Sequence, residues 1–274
     1  MNRLVLDRSA DEMTNSPPRS PAPTAREPVA AKKSLILQEI ADTLRPRAGA
    51  ADGVLPPLMI LLTIVTGMVD AVAYLKLGHV FVANMTGNVV FLGFAAAGAS
   101  GLSVIGSLLA IACFLPGGVA AGRLAARLSD NRLHQLRTAT GIQVVLFAGA
   151  IPVAALAGDR IGSASRYALI VLLALAMGVQ NAIARRLAVP DLTTTVLTLT
   201  LTGIAADSHL AGGSGAKTGR RVLSVAAMLL GAIIGALLLL EVAAVASLAL
   251  AAGILTIVCF VAHRSSAQAQ PSNA

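Results

Sequence analysis

Six long apolar segments dominate the sequence, and each could cross a lipid bilayer as a helix. A spanning helix needs about 20 mainly apolar residues, because the hydrocarbon core is about 30 Å thick. The candidate spans lie at residues 57–75, 102–122, 138–157, 167–184, 222–240 and 243–262. This pattern predicts an all-α integral membrane protein with six full transmembrane helices.

Two further apolar segments carry enough polar residues to make their course ambiguous. The first, residues 80–97, contains Asn84-Met85-Thr86-Gly87-Asn88, and the second, residues 193–206, contains six threonines. The second lies between Asp191 and Asp207, and the fifteen residues between them would reach only about 22 Å as a helix. We therefore expect two broken or re-entrant segments. If one or both crossed instead, the protein would have seven or eight spans.

The distribution of basic residues favours the six-span arrangement. Thirteen Lys and Arg follow residue 54. If both ambiguous segments re-enter, ten of them lie on the side of the N-terminus, and three, Lys76, Arg160 and Arg166, lie on the other. If both segments cross, the division is six against seven. Because basic loops stay in the cytoplasm, re-entry predicts cytoplasmic N- and C-termini. A seven-span arrangement with the N-terminus outside gives eleven against two, so charge alone does not exclude it.

Composition agrees with a membrane protein and indicates the boundaries of its parts. The chain is 56% apolar and 12% charged, with a mean hydropathy of +0.78, unlike a soluble domain. Its net charge of +8 does not indicate nucleic acid, because the excess cations lie between apolar segments. We expect residues 1–54 to be a disordered or partly interfacial tail, residues 55–262 the transmembrane domain, and residues 263–274 a short disordered C-terminal tail.

The two halves of the transmembrane domain share features in the same order. The pattern Gly-x-x-Asp/Asn-Ala occurs at Gly67 and again at Gly178, with Thr86 and Thr198 following at similar distances. A Gly-x-x-x-Gly motif, which allows close helix approach, then follows in each half at Gly118/Gly122 and Gly231/Gly235. This order predicts repeat one at 57–157 and repeat two at 167–262. Three crossings in each half make the repeats inverted, as in many transporters.

A set of short motifs lies along the transmembrane domain: Asp70, Gly78-His79-Val80-Phe81, the Asn84–Val90 block, and Gln180-Asn181 with the threonine-rich segment. With these motifs the chain resembles the YoaK-like family of bacterial multi-span membrane proteins over roughly residues 57–262. The resemblance implies a multi-pass protein of the bacterial inner membrane and implies no particular chemistry. One position departs from the family pattern, because Leu199 stands where the second half usually carries a glycine.

Polar residues at the breaks and late in the spans form the candidate substrate site. Such groups are costly in lipid and should face protein or water. The candidates are Asp70, Asn84, Thr86, Gly87, Asn88, Gln180, Asn181, Thr198, Thr200 and Thr202. Each has a structural alternative. Asp70 could bond to Asn84 or to backbone donors rather than carry a proton or cation, the polar cluster around Gly87 could repair a helix break, and threonines often bond to the preceding turn.

These residues favour a small-solute transporter or channel-like protein, with an unidentified solute and Asp70 as the candidate for proton coupling. The competing interpretation is a non-transporting scaffold whose polar breaks only hold helices together and whose basic face recruits anionic lipids or proteins. No catalytic motif and no metal-ligand spacing is present, so we expect neither an enzyme nor a cofactor. Expected partners are the lipid bilayer, the solute, and a second copy in a homodimer, with no nucleic acid.

Overall fold

Helices make up nearly all of the described chain. The structure is a computed structural model that describes residues 29–45, 52–128, 131–158, 160–192, 197–208, 211–213 and 217–268. Within these ranges the helices are α1 (Val29–Leu44), α2 (Leu55–Lys76), α3 (Met85–Ala96), α4 (Val104–Arg127), α5 (Arg132–Ala157), α6 (Ser163–Leu187), α7 (Leu197–Ala206), α8 (Thr218–Glu241) and α9 (Ala244–Gln268).

The terminal tails are only partly described. Residues 1–28 and 269–274 of the predicted tails, and residues 193–196 of the second ambiguous segment, lie outside the described residues. Within the predicted N-terminal tail, residues 29–44 form α1. At the other end α9 continues to Gln268, so the predicted disordered tail begins too early. The helix persists because Ala267 and Gln268 favour helix and no Pro or Gly interrupts the run after Gly253.

Six of the helices are long and apolar enough to span a membrane, as the sequence predicts. They are α2, α4, α5, α6, α8 and α9, with 22 to 26 residues each. In α2 and α6, 72% and 61% of the most apolar window is buried inside the protein, against 28% in α4 and α8. The helices α2 and α6 therefore lie at the centre of the bundle, and the other four surround them with one face left for lipid.

The two short helices do not carry the chain to the opposite side. Gly78 follows α2, and a Cβ built on it would lie 3.2 Å from the Cβ of Ser103, the N-cap of α4. The helix α4 therefore starts on the side where α2 ends. In the second half Arg220, at the start of α8, donates to the carbonyl of Pro190, just after α6, at 3.4 Å. Both α3 and α7 thus return to the side from which the chain came, as re-entrant segments.

Basic residues gather at one end of the bundle, which we call the basic face. Asp52, before α2, pairs with Arg132 of α5 at 3.0 Å and with Arg220 of α8 at 3.8 Å, and Arg132 also donates to the carbonyl of Leu187 at the end of α6. The first half therefore starts at the basic face, while the second half starts at the opposite end, where Arg166 of α6 lies beside Gly78. The two halves have opposite orientations. The helix α1 also lies at the basic face, because Glu39 accepts from the backbone N–H of Gly219 at 2.7 Å.

The halves interlock through two equivalent helix crossings. A Cβ on Gly67 of α2 would meet the carbonyl oxygen of Met228 in α8 at 2.3 Å, and one on Gly178 of α6 would meet that of Phe114 in α4 at 2.1 Å. The partner helices carry matching glycines. A Cβ on Gly231 of α8 would meet the carbonyl oxygen of Ile64 in α2 at 2.1 Å, and one on Gly117 of α4 would meet that of Leu175 in α6 at 2.3 Å. These glycines are required because any side chain would collide with backbone. The first span of each half therefore packs on the second span of the other half: α2 on α8, and α6 on α4.

The predicted glycine register in the first half needs a correction of one residue. Gly117, rather than Gly118, occupies the position equivalent to Gly231, and a Cβ on Gly118 would make only an ordinary 3.7 Å contact with the carbonyl of Gly178. No atom lies within 4 Å of a Cβ built on Gly122, whereas one on Gly235 would meet the backbone of Met68 at 2.6 Å. Gly122 is therefore not a packing residue among the described helices, because it lies on the side of α4 that turns away from α6.

Candidate functional site

Asp70 holds the first re-entrant loop against α2. Its Oδ1 accepts from the backbone N–H of Val82 at 3.0 Å and from that of Ala83 at 2.9 Å. Asp70 lies six residues before the end of α2, so these bonds draw the loop about 9 Å back along the helix. The carboxylate is 5% exposed, and its Oδ2 has no hydrogen-bond partner among the described residues. Asp70 thus supports the break through one oxygen, and the other is left unpaired.

Asn88 fixes the same loop from the other side. Its Oδ1 accepts from the backbone N–H of Phe81 at 2.9 Å, and its Nδ2 donates to the carbonyl of Phe81 at 2.6 Å. Asn88 is fully buried, so this side chain replaces the hydrogen bonds that the interrupted helix cannot make. A Cβ on Gly87 would lie 2.6 Å from Cδ2 of Phe81, and the ring stacks on Tyr74 with centroids 5.2 Å apart. The break is therefore built around Phe81.

A cavity of about 560 Å³ lies where the two halves meet. Its wall combines the start of α3 with residues of α4, α6 and α7. The lining residues are Phe81, Ala83, Asn84, Met85, Thr86, Gly87, Phe114, Asn181 and Thr198. We call this space the central cavity. A second cavity of about 250 Å³ contains Asp70 and shares Phe81 and Asn84 with the first.

Gln180 joins the two central helices. Its Nε2 donates to the Oγ1 of Thr66 at 2.7 Å and to the carbonyl of Leu62 at 3.2 Å, both in α2. The next residue, Asn181, occupies in α6 the position that Asp70 occupies in α2, because the glycine crossings align the two helices. Asn181 donates to the carbonyl of Met177 at 2.9 Å and lines the central cavity.

The helix α7 is held by Arg221 of α8, a residue that is not among the predicted site residues. Arg221 donates through Nε to Asp191 Oδ1 at 2.8 Å. Its Nη1 donates to the carbonyl of Gly203 and to Asp207 Oδ2, both at 2.7 Å. The only signal in the sequence was the pair of aspartates, Asp191 and Asp207, that enclose the threonine-rich segment. Their separation in sequence from Arg221 did not indicate that the three side chains are in contact.

Residues 58–261 match the sequence profile of a family described as protein of unknown function (DUF1275). The chain belongs to the DUF1275 family. This DUF1275 protein is also similar to the UPF0700 transmembrane protein YoaK of Bacillus subtilis (strain 168), with 33% identity over 150 residues. The match covers 55% of this chain and 65% of YoaK, just under two thirds of that relative. No solved structure matches the chain. The predicted YoaK-like membership and multi-pass membrane character are confirmed.

The structure of this DUF1275 protein separates the ten predicted site residues into three groups. Asn84, Thr86, Gly87, Asn181 and Thr198 line the central cavity. Asp70, Asn88 and Gln180 lie around it and bond to backbone or to neighbouring helices.

Two of the predicted threonines stand apart from the cavity. Thr200 is buried and Thr202 is exposed, and neither is among the lining residues. Both were predicted as polar residues of the threonine-rich segment, but of the α7 residues only Thr198 lines the central cavity. Conversely, the aromatic walls Phe81 and Phe114 were missed as lining residues. Phe114 carries no signal in the sequence beyond its place one turn before Gly118.

Proposed function

We propose that this DUF1275 protein is a small-solute transporter or channel-like protein whose solute occupies the central cavity. The observation that carries the proposal is that residues from both inverted halves, including residues of both re-entrant segments, line one cavity. Broken helices at the interface of inverted repeats form the substrate sites of many secondary transporters. The polar groups at these breaks then bind the solute in addition to stabilising the backbone.

The lining of the central cavity favours a small solute rich in hydrogen-bond acceptors. The polar side chains are the amides of Asn84 and Asn181 and the hydroxyls of Thr86 and Thr198, and no charged residue is among the described lining residues. The first turn of α3 also lies at the cavity, where the N–H groups of Met85 and Thr86 come before the first hydrogen bond of the helix and that of Gly87 donates to the carbonyl of Asn84 at 3.2 Å. Together with the positive end of the helix dipole, they favour an uncharged or singly anionic solute with exposed oxygen atoms.

Proton coupling through Asp70 is part of the proposal. One carboxylate oxygen already holds the loop, and the second is buried without a partner among the described residues. The cavity beside Asp70 shares Phe81 and Asn84 with the central cavity. Protonation of Asp70 would weaken its hold on Val82 and Ala83, and the movement would reach the solute through Phe81.

We further propose that the protein lies in the bacterial inner membrane with the basic face toward the cytoplasm. The positive-inside rule supports this orientation. Both α1 and the C-terminal end of α9 lie at the basic face, since Glu39 contacts α8 there and His263 contacts Arg137 near the start of α5. The two termini are then cytoplasmic.

Cysteine accessibility tests whether the central cavity holds water. In a background with Cys113 and Cys259 replaced by alanine, Thr86→Cys and Thr198→Cys should react with a membrane-impermeant charged thiol reagent. The matched control is Leu199→Cys. Leu199 is next to Thr198 in the sequence and is 71% exposed, but it does not line the central cavity, and its apolar side chain faces the lipid. Absence of labelling at both threonine positions in a folded protein, or equal labelling at Leu199→Cys, would contradict an aqueous site.

Flux measurements test transport itself. Proteoliposomes containing the protein should take up at least one member of a panel of urea, glycerol, formate and nitrate faster than empty liposomes, in stopped-flow light scattering. The variant Thr198→Leu should slow that uptake, because it places an apolar side chain in the cavity wall. If no solute of this size is taken up and the cavity does not label, the scaffold interpretation replaces transport.

A scaffold role is the second candidate, and one observation favours it. Asp70, Asn88 and Gln180, three buried polar residues of the candidate site, all make bonds that hold the fold together. In that case the breaks serve only to hold the helices together, and the basic face is the surface that binds anionic lipids or proteins.

A further inference from the structure

An apolar groove runs along the outside of the bundle between α5 and α9. It has a volume of about 870 Å³, and Gly141, Val145, Cys259 and Phe260 are among its lining residues. Val145 is 70% exposed and Phe260 is 54% exposed. The groove therefore opens away from the protein, toward the lipid.

The groove ends at a cluster of cationic side chains on the basic face. The guanidinium of Arg137 donates to Nδ1 of His263 at 2.9 Å and to Nε2 of His134 at 3.2 Å. Arg264 lies over the ring of Phe260, with its Cζ 4.9 Å from the ring centroid. Two imidazoles thus fix the orientation of Arg137 without neutralising its charge.

These cations differ from four basic residues of the same face that are paired with aspartates. Arg132, Lys217, Arg220 and Arg221 each pair with an aspartate within 4 Å. In the part of the chain that the structure describes, no carboxylate lies that close to Arg137 or Arg264. The mouth of the groove therefore carries positive charge that an external anion could balance.

The depth of the charges matches the geometry of a phospholipid. Arg137 is the sixth residue of α5, about 8 Å from the start of that helix, and Val145 lies about 12 Å further along. The cations are then near the headgroup level, and the apolar groove extends from them toward the middle of the bilayer. Basic pockets between helices on the cytoplasmic side bind anionic headgroups in the same way.

We propose that this groove binds one anionic phospholipid, with its phosphate at Arg137 and an acyl chain along Gly141, Val145 and Phe260. A second copy of the protein is a poorer occupant, because a two-fold contact centred on the groove would bring the same unpaired cations together. The site is separate from the central cavity, so it holds whether or not the protein moves a solute.

Lipid binding to the full chain tests the charge at the groove. The purified protein in phosphatidylcholine nanodiscs is titrated with phosphatidylglycerol, and bound lipid is counted by native mass spectrometry. Phosphatidylglycerol should be retained in preference to phosphatidylcholine, and Arg137→Gln should weaken its binding by about fivefold. The matched control is Arg127→Gln, because Arg127 is exposed at the same face in α4 and does not line the groove. An equal loss in both variants, or no preference for phosphatidylglycerol, would overturn the proposal.

A second pair of variants tests the apolar part without changing charge. A Cβ on Gly141 would lie 4.0 Å from the Sγ of Cys259, so Gly141→Ala should fold and bind as the parent does. Gly141→Leu should fill the groove and lower phosphatidylglycerol binding, while leaving the headgroup cluster intact. Unchanged binding in a folded Gly141→Leu protein would refute the acyl-chain placement. Efficient disulfide cross-linking between copies at Val145→Cys would show that a second chain, not lipid, covers the groove.

Discussion

Individual side chains in this protein replace hydrogen bonds that the broken helix has lost. Asp70 and Asn88 together bond the N–H groups of Phe81, Val82 and Ala83 and the carbonyl of Phe81. Unpaired backbone groups at membrane depth are expensive, so these two residues determine whether the loop can exist. The sequence indicated both as polar residues at a break. It could not indicate their partners, because the loop had to fold back along α2 before the contacts formed.

Substitutions at Asp70 separate support of the loop from proton coupling. Asp70→Ala leaves two buried N–H groups without an acceptor, and we expect a loss of about 2 kcal/mol or more in the free energy of unfolding. Asp70→Asn keeps a carbonyl oxygen that can accept from Val82 and Ala83, so its free energy of unfolding should be closer to that of the parent. Thermal unfolding in detergent measures the difference. If a folded Asp70→Asn protein keeps full pH-dependent flux, Asp70 only positions the loop.

Gly87 should be sensitive to a single added methyl group. Gly87→Ala places a Cβ 2.6 Å from the ring of Phe81, so the ring, which lines the central cavity, must shift. We expect lower labelling at Thr198→Cys and slower flux, with the protein still folded. Gly93→Ala in the same helix is the control, because no atom lies within 4 Å of that position. Equal effects of the two changes would point to helix stiffness rather than to the contact with Phe81.

At the level of elements, the short helices depend on anchors outside themselves. The helix α7 has ten residues, too few to be stable alone, and Arg221 ties both of its flanking aspartates and the carbonyl of Gly203 to α8. The six spans were predictable from the length of their apolar runs alone. The one-residue error in the glycine register had a physical origin, since Gly117 and Gly118 are adjacent in α4 and only packing decides which one lies against the backbone of α6 as Gly231 lies against α2.

Removing the Arg221 anchor should loosen α7 before it affects the rest of the protein. We expect Arg221→Gln to raise amide hydrogen exchange in residues 197–206 by about tenfold or more, because hydrogen bonds to charged groups are worth about 1.5–3 kcal/mol. Exposed Arg186→Gln on the same face is the control. Exchange that rises equally throughout α2 and α6 would show global destabilisation, and would contradict a local anchor.

For the whole molecule, two inverted halves make a definite topology. His79→Cys and Ala99→Cys, on either side of α3, should both label from the periplasmic side. Ala188→Cys and Ala211→Cys, on either side of α7, should both label from the cytoplasmic side. All four residues are exposed. Labelling of positions 79 and 99 from different sides would mean that α3 crosses. The charge count favoured this topology over eight spans but did not exclude seven, and the position of the cavity depended on three-dimensional packing that no sequence pattern measures.

The interlocked crossings also determine when the protein can become complete during its synthesis. Of the six spans, α2 leaves the ribosome first and is the most buried, yet the helix that packs closest to its glycine, α8, is the fifth of these spans to be made. Until then the glycine face of α2 that packs on α8 stays uncovered in the bilayer, although the loop directly after α2 already supplies the hydrogen-bond donors for Asp70. Neither half can complete its packing before the other arrives.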